Sequence, residues 1–528
     1  MKYIELFAGC GGLSLGLKSV GFKLVVANEL SPMAAESYAF NFFNEDLNEQ
    51  SEKTTPKLKN TLWLSSQHAL SNLKTRLRED PRKFPVTENG ECDIAPDGSN
   101  LQGSLVVGSI VELNKWLKRN PNVANDIKNS FGAGEVDLVS GGPPCQSFSM
   151  AGLRQLESEK NSLPWEFAKF VQMVQPKLVL LENVSGILRP FKNKDGKSYY
   201  AWFELAKAFA AIGYIPLCLH INAKKAGVPQ NRPRFILLGV RENIFKQLIP
   251  TLNDTETKLF QQPLEFFNST KEGRDIEFGA LMYQDVSKAQ DLALFKDSFL
   301  KPLVANNENY VTVSDAIDDL RRNGTKESFY ADALLKTFSK VITKRRMENH
   351  ELRTNNALVK RRFRLYQILQ QIEINNETRK NVLSILKGQT HDLRNSDWEI
   401  LSSFDYLVES GLYVRFKSKK EFLDFLNRHP TKKQTQKALI ANQPAPAALS
   451  IPDDACHYHH DEQRTLTVRE MARIQSFPDN FEFRSKITTG GKMRSFEVPQ
   501  YTQVGNAVPP LLGRALGLAL QEILKRLK

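Results

Sequence analysis

The sequence predicts an α/β protein: a Rossmann-like domain with a separate, smaller domain beside it. Three observations carry the prediction. An apolar run from Tyr3 to Phe7 passes into the turn Gly9-Cys10-Gly11-Gly12 and then into a helical stretch, Leu13 to Val20, stopped by Gly21. A second strand and helix follow at once, Phe22 to Ala27 and then Ser31-Pro32, a helix cap with proline at the first helical position. Further on, Leu105 to Val107, Val136 to Ser140 and Leu178 to Leu181 are short apolar runs without alternation, the pattern of strands buried on both faces of a parallel sheet.

The remaining elements extend this frame. Runs at Ile215 to Ile221 and Phe235 to Val240 bring the first domain, the expected catalytic and cofactor-binding one, to residue 245. Residues 46–103 interrupt the rhythm with polar, Lys-rich sequence and read as an insertion between two strands. From 246 to 460 the strand-helix alternation gives way to mixed stretches, including a helix with Leu358, Phe363, Leu365, Ile368 and Leu369 on its apolar side, and a second domain is expected there. Residues 461–528 hold a helical pattern from Leu466, the turn Gly505-Asn506-Ala507-Val508-Pro509-Pro510 and an apolar helix from Leu511 to Leu527; this segment is expected to return to the first domain.

A chain of 528 residues with 41% hydrophobic content can bury several cores. Lys and Arg number 72 against 59 Asp and Glu, a formal charge of +13 that favours a polyanionic partner such as nucleic acid. The five cysteines (Cys10, Cys92, Cys145, Cys218 and Cys456) are odd in number and far apart, which argues against a disulfide framework and for a reducing, cytoplasmic setting. The opening Met1-Lys-Tyr-Ile lacks the features of a signal peptide, and no apolar run approaches the ~20 residues that cross a bilayer, so no membrane role is expected. Cys456, His457, His459 and His460 lie close together but lack a second, distant ligand pair, and no metal is expected.

Gly9, Gly11 and Gly12 let the backbone pass close to a ligand at the carboxyl edge of the sheet, and Glu29 ends the next strand about 20 residues later, where an acid holds a ribose hydroxyl. NAD, FAD and S-adenosylmethionine all suit such a turn, and Ser14 stands where the strict dinucleotide pattern has its third glycine. The segment Gly141-Gly-Pro-Pro-Cys145-Gln-Ser-Phe-Ser149 then places a thiol just past a buried strand, on a loop shaped by two glycines and two prolines. Such a loop suits nucleophilic work. Carbon-5 of cytosine is a poor nucleophile, and a thiolate added at carbon-6 makes it enamine-like.

The segments Phe7-Ala-Gly-Cys-Gly-Gly12, Gly142-Pro-Pro-Cys-Gln146, Glu182-Asn-Val184, Gln230-Asn-Arg-Pro-Arg234, Arg469-Glu-Met-Ala-Arg-Ile-Gln475 and Gln503-Val-Gly-Asn-Ala-Val-Pro509 resemble, in order, the motif set of the DNA (cytosine-5) methyltransferases of bacterial restriction-modification systems. The resemblance implies S-adenosylmethionine as cofactor and Cys145 as nucleophile. Glu182 would bind N3 and the exocyclic N4 of the flipped base, Arg234 its O2, and Arg232 would anchor the surrounding loop or a phosphate. Phe7, Gly9, Gly11, Gly12, Leu13, Ser109, Ile110, Pro144, Asn506 and Val508 would line the cofactor, with Phe7 against the adenine, Glu29 on the ribose and Asn506 framing the methionine end. The family usually has an acid where Gly108-Ser109-Ile110 stands, and Ser109 offers a weaker contact to the adenine amine. The segment Ser158 to Glu166 matches its motif only loosely and contributes no site residue.

The target would be a cytosine flipped from double-stranded DNA. The family carries its target recognition domain where residues 246–460 stand, and Lys344-Arg345-Arg346, Lys360-Arg361-Arg362, Lys417, Lys419 and Lys420 are candidate phosphate contacts. A monomer is expected, with any cognate restriction endonuclease acting separately. The tRNA-methylating branch of the family fits less well because it normally lacks a large recognition domain. A non-catalytic DNA-binding regulator is disfavoured by the intact Cys145, Glu182 and Arg234, and a nicotinamide enzyme leaves the Cys145 and Asn506 segments without a purpose.

Overall fold

The computed structural model describes residues 1–144, 163–192, 198–324, 327–343, 346–433, 436–447, 451–452 and 455–527. Among these, a nine-stranded sheet organises the molecule. Its strands are β1 (Lys2–Leu6), β2 (Lys23–Glu29), β3 (Thr61–Trp63), β4 (Ser104–Val107), β5 (Leu138–Gly141), β6 (Leu178–Val184), β7 (Tyr214–Asn222), β8 (Pro233–Arg241) and β9 (Gln284–Asp285). They lie in the order β9-β7-β8-β6-β5-β1-β2-β4-β3. All neighbours are parallel except β8, which runs antiparallel to β6 and β7. The apolar runs at β4 and β5 are buried along their whole length, as strands covered on both faces must be. Sheet order reverses on either side of β1, so the crevice at the carboxyl ends of β1 and β5 is the place where an open α/β sheet takes a ligand.

Register brings the active ends level. Leu6 pairs with Gly141, and Gly141 with Leu181, so the loops after β1, β5 and β6 leave the sheet side by side. Helix α1 (Gly12–Ser19) starts straight from the glycine turn, and α2 (Pro32–Phe42) starts at Ser31, whose Oγ accepts from Ala34 N at 3.4 Å. The other helices needed below are α3 (Ile110–Arg119), α4 (Leu163–Val174), α5 (Ala201–Ala211), α6 (Asp254–Lys271), α7 (Ala357–Leu369), α8 (Val468–Ile474), α9 (Gln500–Asn506) and α10 (Pro510–Lys525).

The last helix lies on the first. A side-chain carbon on Gly16 of α1 would collide with the backbone of Gly513 and Arg514 in α10, and one on Gly513 would sit 3.3 Å from Leu13. Two glycines thus let the helices touch backbone to backbone.

Residues 46–103 are not a detached excursion. They supply β3, the edge strand beside β4, and pack Trp63, Leu73 and Leu77 against Ala27, Tyr38, Leu105 and Val107. The core around the sheet continues past residue 245: Leu259, Phe260, Phe266 and Phe267 of α6, then Phe295, Phe299, Leu303 and Val304, all belong to it. Two further cores follow. One joins Val313, Ile317, Phe338 and Ile342 to Met471, Phe477, Phe483 and Tyr501 and reaches Cys10 and Leu15 of the first unit. The other holds Phe363, Leu369, Val382, Tyr406, Phe422 and Cys456, all within residues 357–456. Among the described residues no helix is long and apolar enough to cross a membrane.

Candidate active site

Two groups of residues meet along the carboxyl edge of the sheet. At the end of β1 the backbone turns through Phe7, Gly9 and Gly11 at φ of 57°, 56° and 94°, so the strand stops one residue earlier than its apolar run. A side-chain carbon on Gly12 would strike the carbonyl of Val508, which means that the segment after α9 closes directly on the turn. Leu13 is buried beneath it. Glu29 holds the turn from the side: its Oε2 accepts from Gly9 N and its Oε1 from Ser31 N, each at 2.8 Å. Burial pushes its carboxyl up, and these backbone donors pull it back.

Underneath lies a group that sequence reasoning missed. Ser14 Oγ bonds the Glu5 carboxyl and lies 2.8 Å from Tyr3 Oη and 2.9 Å from Tyr38 Oη, all four residues being buried. Burial drives the Glu5 carboxyl up to about 8. The missing third glycine at Ser14 is therefore the hub of a polar network. An acid inside the apolar run of β1 was the available signal.

At the end of β4, Gly108 N donates to Glu29 O at 2.9 Å, and Asn28 Nδ2 donates to the carbonyls of Val106 and Gly108 at 3.1 and 2.9 Å. Ser109 is the N-cap of α3; its Oγ accepts from Val111 N at 3.2 Å. Its hydroxyl thus has a structural task before any contact with an adenine. Ile110 is buried in the core.

The second group gathers where β5, β6 and β8 end. Cys145 lies outside the described residues, but the approach to it is defined. A side-chain carbon on Gly142 would lie 3.0 Å from Glu182 Oε2, so the loop passes close against that carboxylate and a larger residue there would push it aside. Pro143 O accepts from Asn183 Nδ2 at 3.1 Å, fixing the loop just before the exposed Pro144. Glu182 and Arg234 form an ion pair, Oε1 to Nε 2.5 Å, with 11% and 10% of their side chains exposed. Register explains the meeting: Glu182 pairs with Ile236 and Val184 with Arg234, a two-residue step that puts both side chains on one face.

Arg232 does a different job. It is buried, and its Nη2 donates to the carbonyls of Gly505 at 2.8 Å and Ala507 at 3.2 Å, while Nη1 reaches Ala447 O at 3.3 Å. Burial holds its guanidinium well below the usual arginine range. It anchors a loop and reaches no surface where a phosphate or base would lie. Asn506, at the end of α9, is exposed beside it, and Val508 is half-buried. Gln503, quoted in the motif but given no task, ties three segments together: its Nε2 faces the carbonyls of Met33, Arg484 and Val498 at 3.0–3.2 Å, and its Oε1 accepts from Ser37 Oγ at 2.5 Å. The Arg469 motif is likewise internal, Arg469 donating to the carbonyls of Glu348, Pro478 and Phe481.

Of the basic clusters, Lys344 and Arg345 lie outside the described residues, and Arg346 is exposed and paired with Glu348 at 2.5 Å. Arg361 donates to His429 Nε2 at 2.8 Å and Arg362 bonds the carbonyls of His429 and Pro430, so these two cations hold α7 to its neighbour. Lys360 is half-buried. Lys417 and Lys420 are exposed, whereas Lys419 donates to Asn395 Oδ1 at 2.9 Å. His459, His460 and Asp461 bring ligand atoms within 4.8 Å of one another, yet Arg321 Nη1 stands 3.0 Å from His459 Nε2, a guanidinium where a metal cation would have to approach. His457 and Cys456 are buried away from this group, in the domain interior.

The fold and site define a class: a Rossmann-like sheet with a glycine-lined cofactor edge beside a carboxylate-arginine pair, as in cofactor-dependent group transfer. The profile of the C-5 cytosine-specific DNA methylases matches residues 1–63 and 114–522, and the chain belongs to that family. It is a DNA (cytosine-5) methyltransferase, an enzyme of the S-adenosylmethionine-dependent kind. Similar proteins include Type II methyltransferase M1.HphI of Haemophilus parahaemolyticus, 24% identical over 98% of this chain and 86% of that one. M.DdeI of Desulfomicrobium norvegicum is 24% identical over 98% and 87%, and M.Bpa9945I of Bacillus paralicheniformis 25% over 99% of both chains.

Proposed function

We propose that this chain methylates carbon-5 of a cytosine flipped out of a short, specific sequence in double-stranded DNA, as the modification arm of a Type II restriction-modification system. The observation that carries the reading is the Glu182–Arg234 pair set against Gly142, three residues before Cys145. Likeness to Type II methyltransferases along nearly the whole chain supports the restriction-modification setting. The core made only from residues 357–456 is the natural recognition module, while residues up to Val304 pack with the sheet.

The cofactor edge fits S-adenosylmethionine. Gly9 has open space where a side chain would stand, Gly11 and Gly12 hold the turn by packing against Phe42 and Val508 O, and the Glu29 carboxylate beside Gly9 is placed to accept from a ribose. Phe7, Gly9, Leu13, Ser109, Ile110, Pro144 and Asn506 complete that edge. When bound, the cofactor supplies an electrophilic methyl group. Cys145 adds as thiolate to carbon-6, forming the S–C6 bond and moving the C5–C6 electron pair toward carbon-5. Glu182 holds the N3 proton that balances this charge, and Arg234, locked to Glu182, faces O2. After methylation the carbon-5 proton leaves as a proton, its bonding pair re-forms the double bond, and the S–C6 bond breaks to return the thiolate.

The decisive experiment supplies labelled S-adenosylmethionine with unmethylated genomic DNA and, separately, with unmodified tRNA. We expect 5-methylcytosine in DNA within one sequence context; label in tRNA alone, or at every cytosine in DNA, would overturn the reading. Cys145→Ser is expected to lose methyl transfer while still binding S-adenosylmethionine in calorimetry.

A further inference from the structure

Residues 46–103 reach the cofactor edge from outside. Leu64, just past β3, donates its backbone N–H to Val107 O at 2.9 Å. A side-chain carbon on Gly108 would lie 2.8 Å from Leu64 Cβ, so the Gly108–Ser109 turn is seated on Leu64 with nothing between. Leu62, Leu64, Ile94 and Leu101 share one core with Val106, Ile110 and Leu113, joining the insertion to the strand and helix on either side of that turn.

The insertion is stiff enough to act as a wall. The fully buried Arg76 donates to Asp93 Oδ2 and His68 O, each at 2.7 Å, and lies 5.3 Å from the Trp63 ring centre. Asp93 Oδ2 also accepts from Trp63 N at 2.9 Å, and Glu79 accepts from Ser66 Oγ and Gln67 N at 2.6 and 2.9 Å. On its far side the wall is fastened by further contacts. Arg78 pairs with Glu36 of α2, and Arg82 donates to Ser495 Oγ at 3.0 Å with its guanidinium 4.9 Å from the Phe496 ring centre.

We propose that this insertion forms the outer wall of the adenine end of the cofactor pocket, and that Leu64 is a positioning residue that sets the Gly108–Ser109 turn against the purine. The proposal rests on the S-adenosylmethionine reading given above. Ser109 Oγ is engaged in capping α3, and no carboxylate stands at that position, so the fit of the purine edge depends on where the turn's backbone is held. What holds it from behind is Leu64.

The test uses the full-length protein with Leu64→Ala and Leu64→Met, measuring calorimetric binding of S-adenosylhomocysteine and its N6-methyl analogue, and steady-state methylation of DNA. Leu64→Ala is expected to raise the Kd of S-adenosylhomocysteine and the KM of S-adenosylmethionine together, by about tenfold, with kcat at saturating cofactor within about twofold of the parent. Its discrimination against the N6-methyl analogue should fall at least about threefold, and Leu64→Met should restore both. Should Leu64→Ala not fold, Leu64→Val is read in the same way, with an expected effect of about threefold. A folded variant with parental affinity and discrimination overturns the proposal, as does one that loses kcat with binding unchanged. A parent protein that binds no S-adenosylmethionine overturns the cofactor reading instead.

Discussion

The carboxylates at the two halves of one sheet edge have opposite fates. On the β1 and β2 side, Glu5 is sealed in with Ser14, Tyr3 and Tyr38, and Glu29 spends one lone pair of each oxygen on its own backbone. On the β6 side, Glu182 faces a single arginine and lies against Gly142, in the loop that leads to Cys145. The same functional group is tied up by neighbouring hydroxyl and backbone donors in one place and left to a single arginine in the other.

Substitutions sharpen this contrast. Glu182→Gln keeps the shape and removes the charge, so we expect kcat on DNA to fall by roughly 10²–10⁴, with S-adenosylmethionine affinity unchanged in calorimetry. A parental turnover rate would break the contrast, making Glu182 one more structural acid. Arg232→Lys should act in the other sense. One ammonium cannot satisfy the carbonyls of Gly505, Ala507 and Ala447 together, and the loss should cost about 2–4 kcal/mol in chemical denaturation. Cofactor binding should weaken with it through the loosened Asn506 turn, and unchanged stability would leave Arg232 with the phosphate-anchoring role that its motif offered as the alternative.

Glu5 adds a pH dependence. Native Glu5 stays protonated up to about 8, whereas in the unfolded chain it ionises near 4.5. Between those values the unfolded state holds fewer protons, so this residue's contribution to stability is complete below about 4.5, declines as pH rises, and is fully lost above about 8. Glu5→Gln mimics the protonated form and should flatten the fall in Tm from pH 5 to 8. Parallel Tm profiles for parent and variant would place the Glu5 charge elsewhere.

Much of the frame was legible because its signals are local. The glycine turn, the Ser31-Pro32 cap and the unbroken apolar runs of β4, β5 and β6 each announce themselves within a few residues. The three-residue β3 did not, since its short apolar run Thr61-Leu-Trp-Leu64 is flanked by polar, Lys-rich sequence and it becomes a strand by pairing with β4. Buried polar knots were hidden for the same reason. Gln503 binds carbonyls from Met33 to Val498, and no spacing rule reports a partner so distant in sequence. Arg361 and Arg362 looked like phosphate contacts because a charge run does not reveal that His429 and Pro430 receive it. Cys145 was singled out from its loop chemistry and its motif, and it lies outside the described residues.

The contact of Gly16 with Gly513 also governs when the enzyme can exist. The helix that follows the glycine turn has its partner surface about 500 residues later, so the cofactor edge cannot consolidate until α10 has been made. At roughly 5–20 residues per second, the ribosome carries an incomplete first domain for about 25–100 s. The two ends of this sheet unit are therefore joined late in synthesis, when α10 emerges and docks.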